Sequence, residues 1–326
     1  MKKVLVTGGC GFIGSHLSEF LVKKGFKVVV FDKYNRDGNF GWLENSEFKK
    51  DIEIILGDIR DYDSVEKCIK GCETVFHLAA LCGIPYSYIS PLAYIKTNLE
   101  GTYNILETSK RFDLEQTIIM STSETYGTAV KVPINESHRL NGQSPYAASK
   151  IAADQLALSY FNSFKTPIKI VRPFNTFGPR QSLRAIIPSI ISQLLFNSGK
   201  IKAGNLKPTR DFTYVTDTVD AIYKISKRKK GFGETINIGN NSEVSIKELI
   251  KIISEEIKLK PKILKDKKRI RPNSSEVMRL RCDNNKIKKY FNWTPKIKIR
   301  IGLRKTIDWI KLNNKNFDQK HKIYNI

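Results

Sequence analysis

The chain is short of acid. Its 326 residues include 32 Asp and Glu against 56 Lys and Arg, a formal net charge of +24. Cysteine is also scarce: Cys10, Cys68, Cys72, Cys82 and Cys282 are odd in number and lack zinc-ribbon spacing. Cys68 and Cys72 fall on one predicted helix, where their thiols could approach, but reduced packed thiols are the expectation, and no metal site is expected. No apolar run reaches the length of a membrane span. The opening Met1-Lys2-Lys3-Val4-Leu5-Val6-Thr7 is too brief for a secretion signal and flows into glycines. These absences point to a cytoplasmic chain with no membrane partner. The excess lysine is densest in 227–230, 258–271, 286–289 and 296–322, without interleaved aromatics, zinc ligands or a helix-turn-helix pattern. It therefore reads as compositional bias, and nucleic acid is not an expected partner.

What is present is a repeating alternation of apolar strands and amphipathic helices. Lys2–Thr7 reads as a strand, followed by Gly8-x-x-Gly11-Phe12-Ile13-Gly14 and a helix over Ser15–Lys24. Glycines so spaced turn tightly, let the backbone approach a pyrophosphate and pack helix against strand. A second strand, Lys27–Phe31, ends at Asp32, placed to bond the hydroxyls of an adenosine ribose. A 2′-phosphate would be repelled there, so NAD is expected over NADP, although Lys33 and Arg36 lie close by. Asp58, after the strand Ile52–Leu56, reads either as a contact to the adenine or as a helix cap. The strand Thr74–Leu78 ends in Leu78-Ala79-Ala80, small residues over which a cofactor can lie; His77 reads as a packed strand histidine. The loop Leu81–Ser90 should wall the substrate site, and Pro91–Phe112 reads as one long helix.

The stretch with the most chemistry runs from Ser121 to Lys150. It follows the buried strand Gln116–Met120, so Thr122, Ser123 and Glu124 fall at a strand's carboxyl end, where doubly wound sheets place their sites. Ser144 and Pro145 open a helix that carries Tyr146 and Lys150 on one face. A nearby ammonium should lower the phenol's pKa and make it a usable base. A sixth strand, Pro167–Val171, leads to Arg172-Pro173-Phe174-Asn175, after which the pattern is mixed and more polar. A helix over 184–196, short strands near 200–204 and 235–238, and helices over 245–257, 283–290 and 301–312 complete the chain. The reading is an α/β, Rossmann-type doubly wound parallel sheet over 1–175, a smaller mixed α/β substrate domain over 176–312, and a polar tail over 313–326.

With these residues in place, the chain resembles the extended short-chain dehydrogenase/reductase superfamily over roughly 1–312. The resemblance rests on Thr7-Gly8-x-x-Gly11-Phe12-Ile13-Gly14, Asp32, Asp58, Leu78-Ala79-Ala80, Tyr146-x-x-x-Lys150 and Arg172-Pro173-x-Asn175. It implies NAD held by Gly8, Gly11, Phe12, Ile13, Asp32, Asp58, Ile59, Leu78, Ala79, Ala80, Tyr146 and Lys150. Thr122-Ser123-Glu124 resembles the triplet of nucleotide-sugar 4,6-dehydratases, though UDP-glucuronate decarboxylases share it and 4-epimerases share the fold. Gly204-Asn205-Leu206 before Arg210-Asp211, and Arg271-Pro272 before Glu276-Val277, resemble the GDP-sugar branch. Phe212-Thr213-Tyr214 departs from the GDP-mannose enzymes, and the run Ser121–Lys150 is most similar to the GDP-N-acetylglucosamine 4,6-dehydratases of bacterial legionaminic acid biosynthesis. The resemblance implies catalysis by Thr122, Ser123, Glu124, Tyr146 and Lys150, and a substrate held by Ser87, Asn175, Arg184, Asn205, Arg210 and Arg271. It also implies a homodimer or higher homo-oligomer, formed through the helices near 91–112 and 145–163. The alternatives are the decarboxylase, the epimerase and a basic cofactor-binding regulator without turnover.

Overall fold

Seven parallel strands form the centre of the molecule. Their order across the sheet is Glu234–Ile238, Ile168–Pro173, Gln116–Met120, Thr74–His77, Lys3–Thr7, Lys27–Asp32 and Ile52–Leu56. The structure, a computed structural model, describes residues 1–35, 37–197 and 199–314; Arg36 and the tail from 315 onward lie outside the described residues. The strands are rich in Val and Ile and buried on both faces, as a parallel sheet covered by helices requires. The fold is the expected Rossmann-type doubly wound one. The strand order reverses between Lys3–Thr7 and Thr74–His77, and ligands of such sheets bind at that crevice.

One strand crosses the boundary that the sequence suggested at 175. Glu234–Ile238 belongs to the later part of the chain, yet it pairs with Ile168–Pro173 and forms an edge of the central sheet. The helix Val215–Ser226 likewise packs on the helix Phe12–Lys23, with Phe20 and Tyr223 edge to face at 5.3 Å. Among the described residues there are also three two-stranded sheets: Asn175–Phe177 with Phe212–Tyr214, Lys200–Ala203 with Lys262–Lys265, and Thr209–Arg210 with Val244–Ser245.

Two expected elements differ. The segment read as a loop contains a short helix, Ile84–Ile89, opened by Gly83 and Pro85. The long helix expected over 91–112 is Pro91–Tyr94, a wider π-helical turn Ile95–Glu100, and Gly101–Arg111. A π turn inserts a residue into the ladder and commonly marks a working part of a protein. Here it carries Asn98, whose buried amide accepts from Leu81 N at 2.8 Å and donates to Leu81 O and to Ser149 Oγ. It thus ties the cleft loop to the helix that carries Tyr146.

Beneath the cleft lies a buried ion pair. Asp154, on the helix Pro145–Phe164, accepts from Arg172 Nε at 3.0 Å, Arg172 Nη2 at 2.8 Å and Ser121 Oγ at 2.7 Å. Removing one partner of such a pair strands the other charge in a dry interior. Asp154→Ala should lower unfolding stability by about 3–5 kcal/mol in urea titrations; a loss under about 1 kcal/mol would show that the pair does not organise the fold.

Candidate active site

The glycine loop is shaped by contact. Gly8 has φ +70°, and a Cβ there would stand 2.8 Å from Ala79 N, so the ends of the first and fourth strands touch backbone to backbone. A Cβ on Gly14 would stand 2.1 Å from Gly8 O, which only a bare glycine tolerates. The helix Phe12–Lys23 starts with no side-chain cap and no acid in its first turn, leaving its N–H groups and positive end to an anion. Asp32 lies at the rim of this loop, its carboxylate accepting from Cys10 N at 2.7 Å and Lys33 N at 2.8 Å. Burial pushes the Asp32 carboxyl above its usual value, against those two bonds. Asp58 pairs with Arg60, which holds its carboxyl low. It does not cap the following helix; Asp61 does, accepting from Asp63 N. Ile59 is buried against Gly101. His77 is a packed histidine, with Nδ1 on Thr7 Oγ1 at 2.8 Å and Nε2 on Thr102 Oγ1 at 3.1 Å. Burial, with help from the Lys150 charge, pushes its pKa down to about 3, so it stays neutral.

The catalytic candidates converge at the next strand end. Thr122, Ser123 and Glu124 occupy a turn in which the Thr122 hydroxyl accepts from Glu124 N at 3.2 Å. Ser123 and Glu124 are buried, Glu124 at 9% exposure. Thr122, Cys82 and Glu124 lie close enough to Tyr146 to act on its phenol. The expected effect of Lys150 is corrected here: the Tyr146 phenol is raised well above its usual value. Burial is the main cause, Cys82 and Glu124 add to it, and the Thr122 hydrogen bond opposes them. The Lys150 ammonium donates to Met120 O at 2.7 Å, and burial lowers its pKa against the pull of Asp154. In this structure the phenol is therefore tuned more by desolvation and Thr122 than by the ammonium.

The six substrate candidates divide. Arg210 is buried, donating from Nη1 to Thr209 O and Val277 O, and the Glu124 charge acts on it. Arg271 lies beside it, both guanidiniums 3.6 Å from the Glu276 carboxylate. Asn175 has a buried Oδ1 with no hydrogen-bond partner among the described residues, an acceptor that a ligand can use. Arg184 comes from the smaller lobe close enough for its charge to act on Cys82 and Tyr94. Ser87 is fully buried and donates to Ile84 O at 2.7 Å, and Asn205 Oδ1 accepts from Lys207 N at 3.1 Å, so both serve local turns. Sequence reasoning gave no site role to Asn98, Asp154 or Cys82, and gave Glu276 only as part of a motif. Asp154 had a signal: it follows Lys150 by the spacing at which Lys150 follows Tyr146, on the same helix face.

Comparison with known proteins finds relatives along nearly the whole chain. The chain is 33% identical to human dTDP-D-glucose 4,6-dehydratase over 332 residues, covering 98% of this chain and 93% of that one. It is 34% identical over 320 residues to a UDP-N-acetyl-alpha-D-glucosaminuronate decarboxylase of Bacillus cytotoxicus, covering 95% and 98%. Among solved structures it resembles the dTDP-glucose 4,6-dehydratase DesIV of Streptomyces venezuelae, crystallised with NAD, with a TM-score of 0.89, 26% identity and coverage of 97% and 99%. Nucleotide-sugar 4-epimerases are also among the structures it resembles. Structural neighbours are crystallised with NAD bound, and the bare glycine loop beside Asp32 fits a dinucleotide. Asp32→Ala should weaken NAD binding about tenfold or more, since a hydrogen bond to a charged group contributes roughly 1.5–3 kcal/mol; an unchanged fluorescence titration would remove Asp32 from the ribose site. The family model described as GDP-mannose 4,6 dehydratase matches residues 5–306, and the chain belongs to that family of nucleotide-sugar enzymes in the extended short-chain dehydrogenase/reductase superfamily.

Proposed function

We propose that the chain catalyses 4,6-dehydration of a nucleotide-activated hexose, GDP-N-acetylglucosamine by preference, to the 4-keto-6-deoxy sugar. The observation that supports this most is Glu124, a carboxylate buried beside Thr122 and Tyr146 and facing Arg210. NAD, when bound, supplies the chemistry of removing a hydride from C4 and returning one to C6. Thr122 holds O4, and Tyr146 takes its proton as a phenolate, a form that Lys150 and the positive nicotinamide ring of bound NAD would favour against the burial of the phenol. Beside a carbonyl at C4 the C5 proton is acidic. Glu124 removes it and passes a proton to the departing 6-hydroxyl, which leaves as water; C5 then takes up a proton again, balanced by the one that Tyr146 took from O4. Ser123 is buried beside it and is no acid, so Glu124 serves as both base and acid. Arg210, Arg271 and Asn175 grip the diphosphate, where guanidiniums can bind bidentately. Support for the GDP sugar comes from the sequence of Ser121–Lys150 and of the Arg210 and Arg271 segments.

The decarboxylase relative favours a second reading, loss of CO2 from C5 of a UDP-uronic acid. Mass spectrometry of the purified protein with GDP-, UDP- and dTDP-sugars separates them. The proposal expects loss of one water from a hexose donor, and Glu124→Gln should abolish it while NAD still binds. Release of CO2 from a UDP-uronic acid, or full dehydration by that variant, would sink it.

We also propose a homodimer. Leu92, Ile95 and Tyr103 are large apolar side chains at 60%, 50% and 44% exposure, at helical spacing on the segment 91–111. A second copy of this chain can bury that face against the helix Pro145–Phe164, whose Phe164 is also exposed. A Leu92→Asp, Ile95→Asp double variant should halve the mass seen by light scattering; a wild-type protein that already runs as a monomer would reject the dimer.

A further inference from the structure

Glu276 stands where an anion is wanted. Its carboxylate lies 3.6 Å from Arg210 Nη2 and 3.6 Å from Arg271 Nη1. Both separations are too long for good hydrogen bonds, so the acid is held between the two guanidiniums by charge. Arg271 Nη1 is buried and has no hydrogen-bond partner among the described residues. Arg210 is fixed at its other nitrogen by Thr209 O at 3.0 Å and Val277 O at 2.7 Å.

The backbone around Glu276 cannot easily move. Ser275 Oγ donates to Gln143 O and meets the Tyr88 hydroxyl at 2.6 Å. Gln143 Nε2 donates to Ser274 O at 2.9 Å, Met278 N donates to Thr128 Oγ1 at 3.1 Å, and Glu276 N donates to Pro272 O at 3.0 Å. The segment 274–278 is a strap laced to Gln143, Tyr88 and Thr128 on both sides of the Glu276 carboxylate. Only the side chain of Glu276 can yield.

We propose that Glu276 is a built-in competitor for the nucleotide's diphosphate: it neutralises Arg210 and Arg271 in the open cleft and must turn aside when a nucleoside diphosphate arrives. Without it, two adjacent cations would face each other inside a largely buried site and would hold any diphosphate, product included, too firmly. The acid thus loosens the grip and speeds release. This inference rests on the assignment of Arg210 and Arg271 to the diphosphate made above.

The test is calorimetric titration of NAD-loaded wild type and Glu276→Gln with GDP, UDP and dTDP, and with the matching nucleosides that carry no phosphate. Gln keeps the shape and removes the charge. The variant should bind the tightest-binding diphosphate about tenfold more strongly, the scale of one unfavourable charge contact in a partly wet cleft. Nucleoside binding should be unchanged, and salt should weaken diphosphate binding more steeply in the variant. A merely structural role would weaken nucleosides and diphosphates together. Unchanged or weaker diphosphate binding by Glu276→Gln, with wild type binding normally, overturns the competitor role alone. Wild type that binds none of the three diphosphates overturns the site assignment and this inference with it.

Discussion

The site depends on one buried carboxylate. Asp154 takes hydrogen bonds from Arg172 and Ser121, and so joins three elements: the helix of Tyr146 and Lys150, the strand Ile168–Pro173 and the end of the strand Gln116–Met120. The pair extends outward. The Arg172 guanidinium lies 4.9 Å over the Tyr126 ring, Tyr126 donates to Asn237 Oδ1, and Asn237 N donates to Glu136. Tyr126 closes the same turn that carries Glu124. A charged pair in a dry interior is weak evidence for stability but strong evidence for position, because every group in the network must stay where it is bonded. Asp154 also faces the Lys150 ammonium and favours its charged form against burial.

Most of the frame was legible in the sequence because its signals are local. Glycine spacing, β-branched runs and the pair Tyr146 and Lys150 depend only on neighbours along the chain. What the sequence hid was set by distant contacts. The π turn at Ile95–Glu100 serves an Asn98 bond to Leu81 and Ser149 that no helical pattern announces. Asp58 read as a possible cap, but Asp61, three residues on and next to the helix start, takes that place. Glu276 looked like part of a motif, and its meaning appears only when Arg210 and Arg271 are seen on either side of it.

The direction of the Tyr146 shift shows the same limit. Sequence spacing counts the lysine but cannot count the water removed around the phenol. Desolvation is the larger effect in this structure, and the Thr122 hydroxyl opposes it. Thr122 therefore has two tasks, holding the turn above Glu124 and favouring the ionised phenol.

The strand Glu234–Ile238 has a mechanical consequence. It comes from the later half of the chain, yet it is hydrogen-bonded into the central sheet beside Ile168–Pro173. The chain between Pro173 and Glu234 is therefore anchored at both of its ends to neighbouring strands of the central sheet.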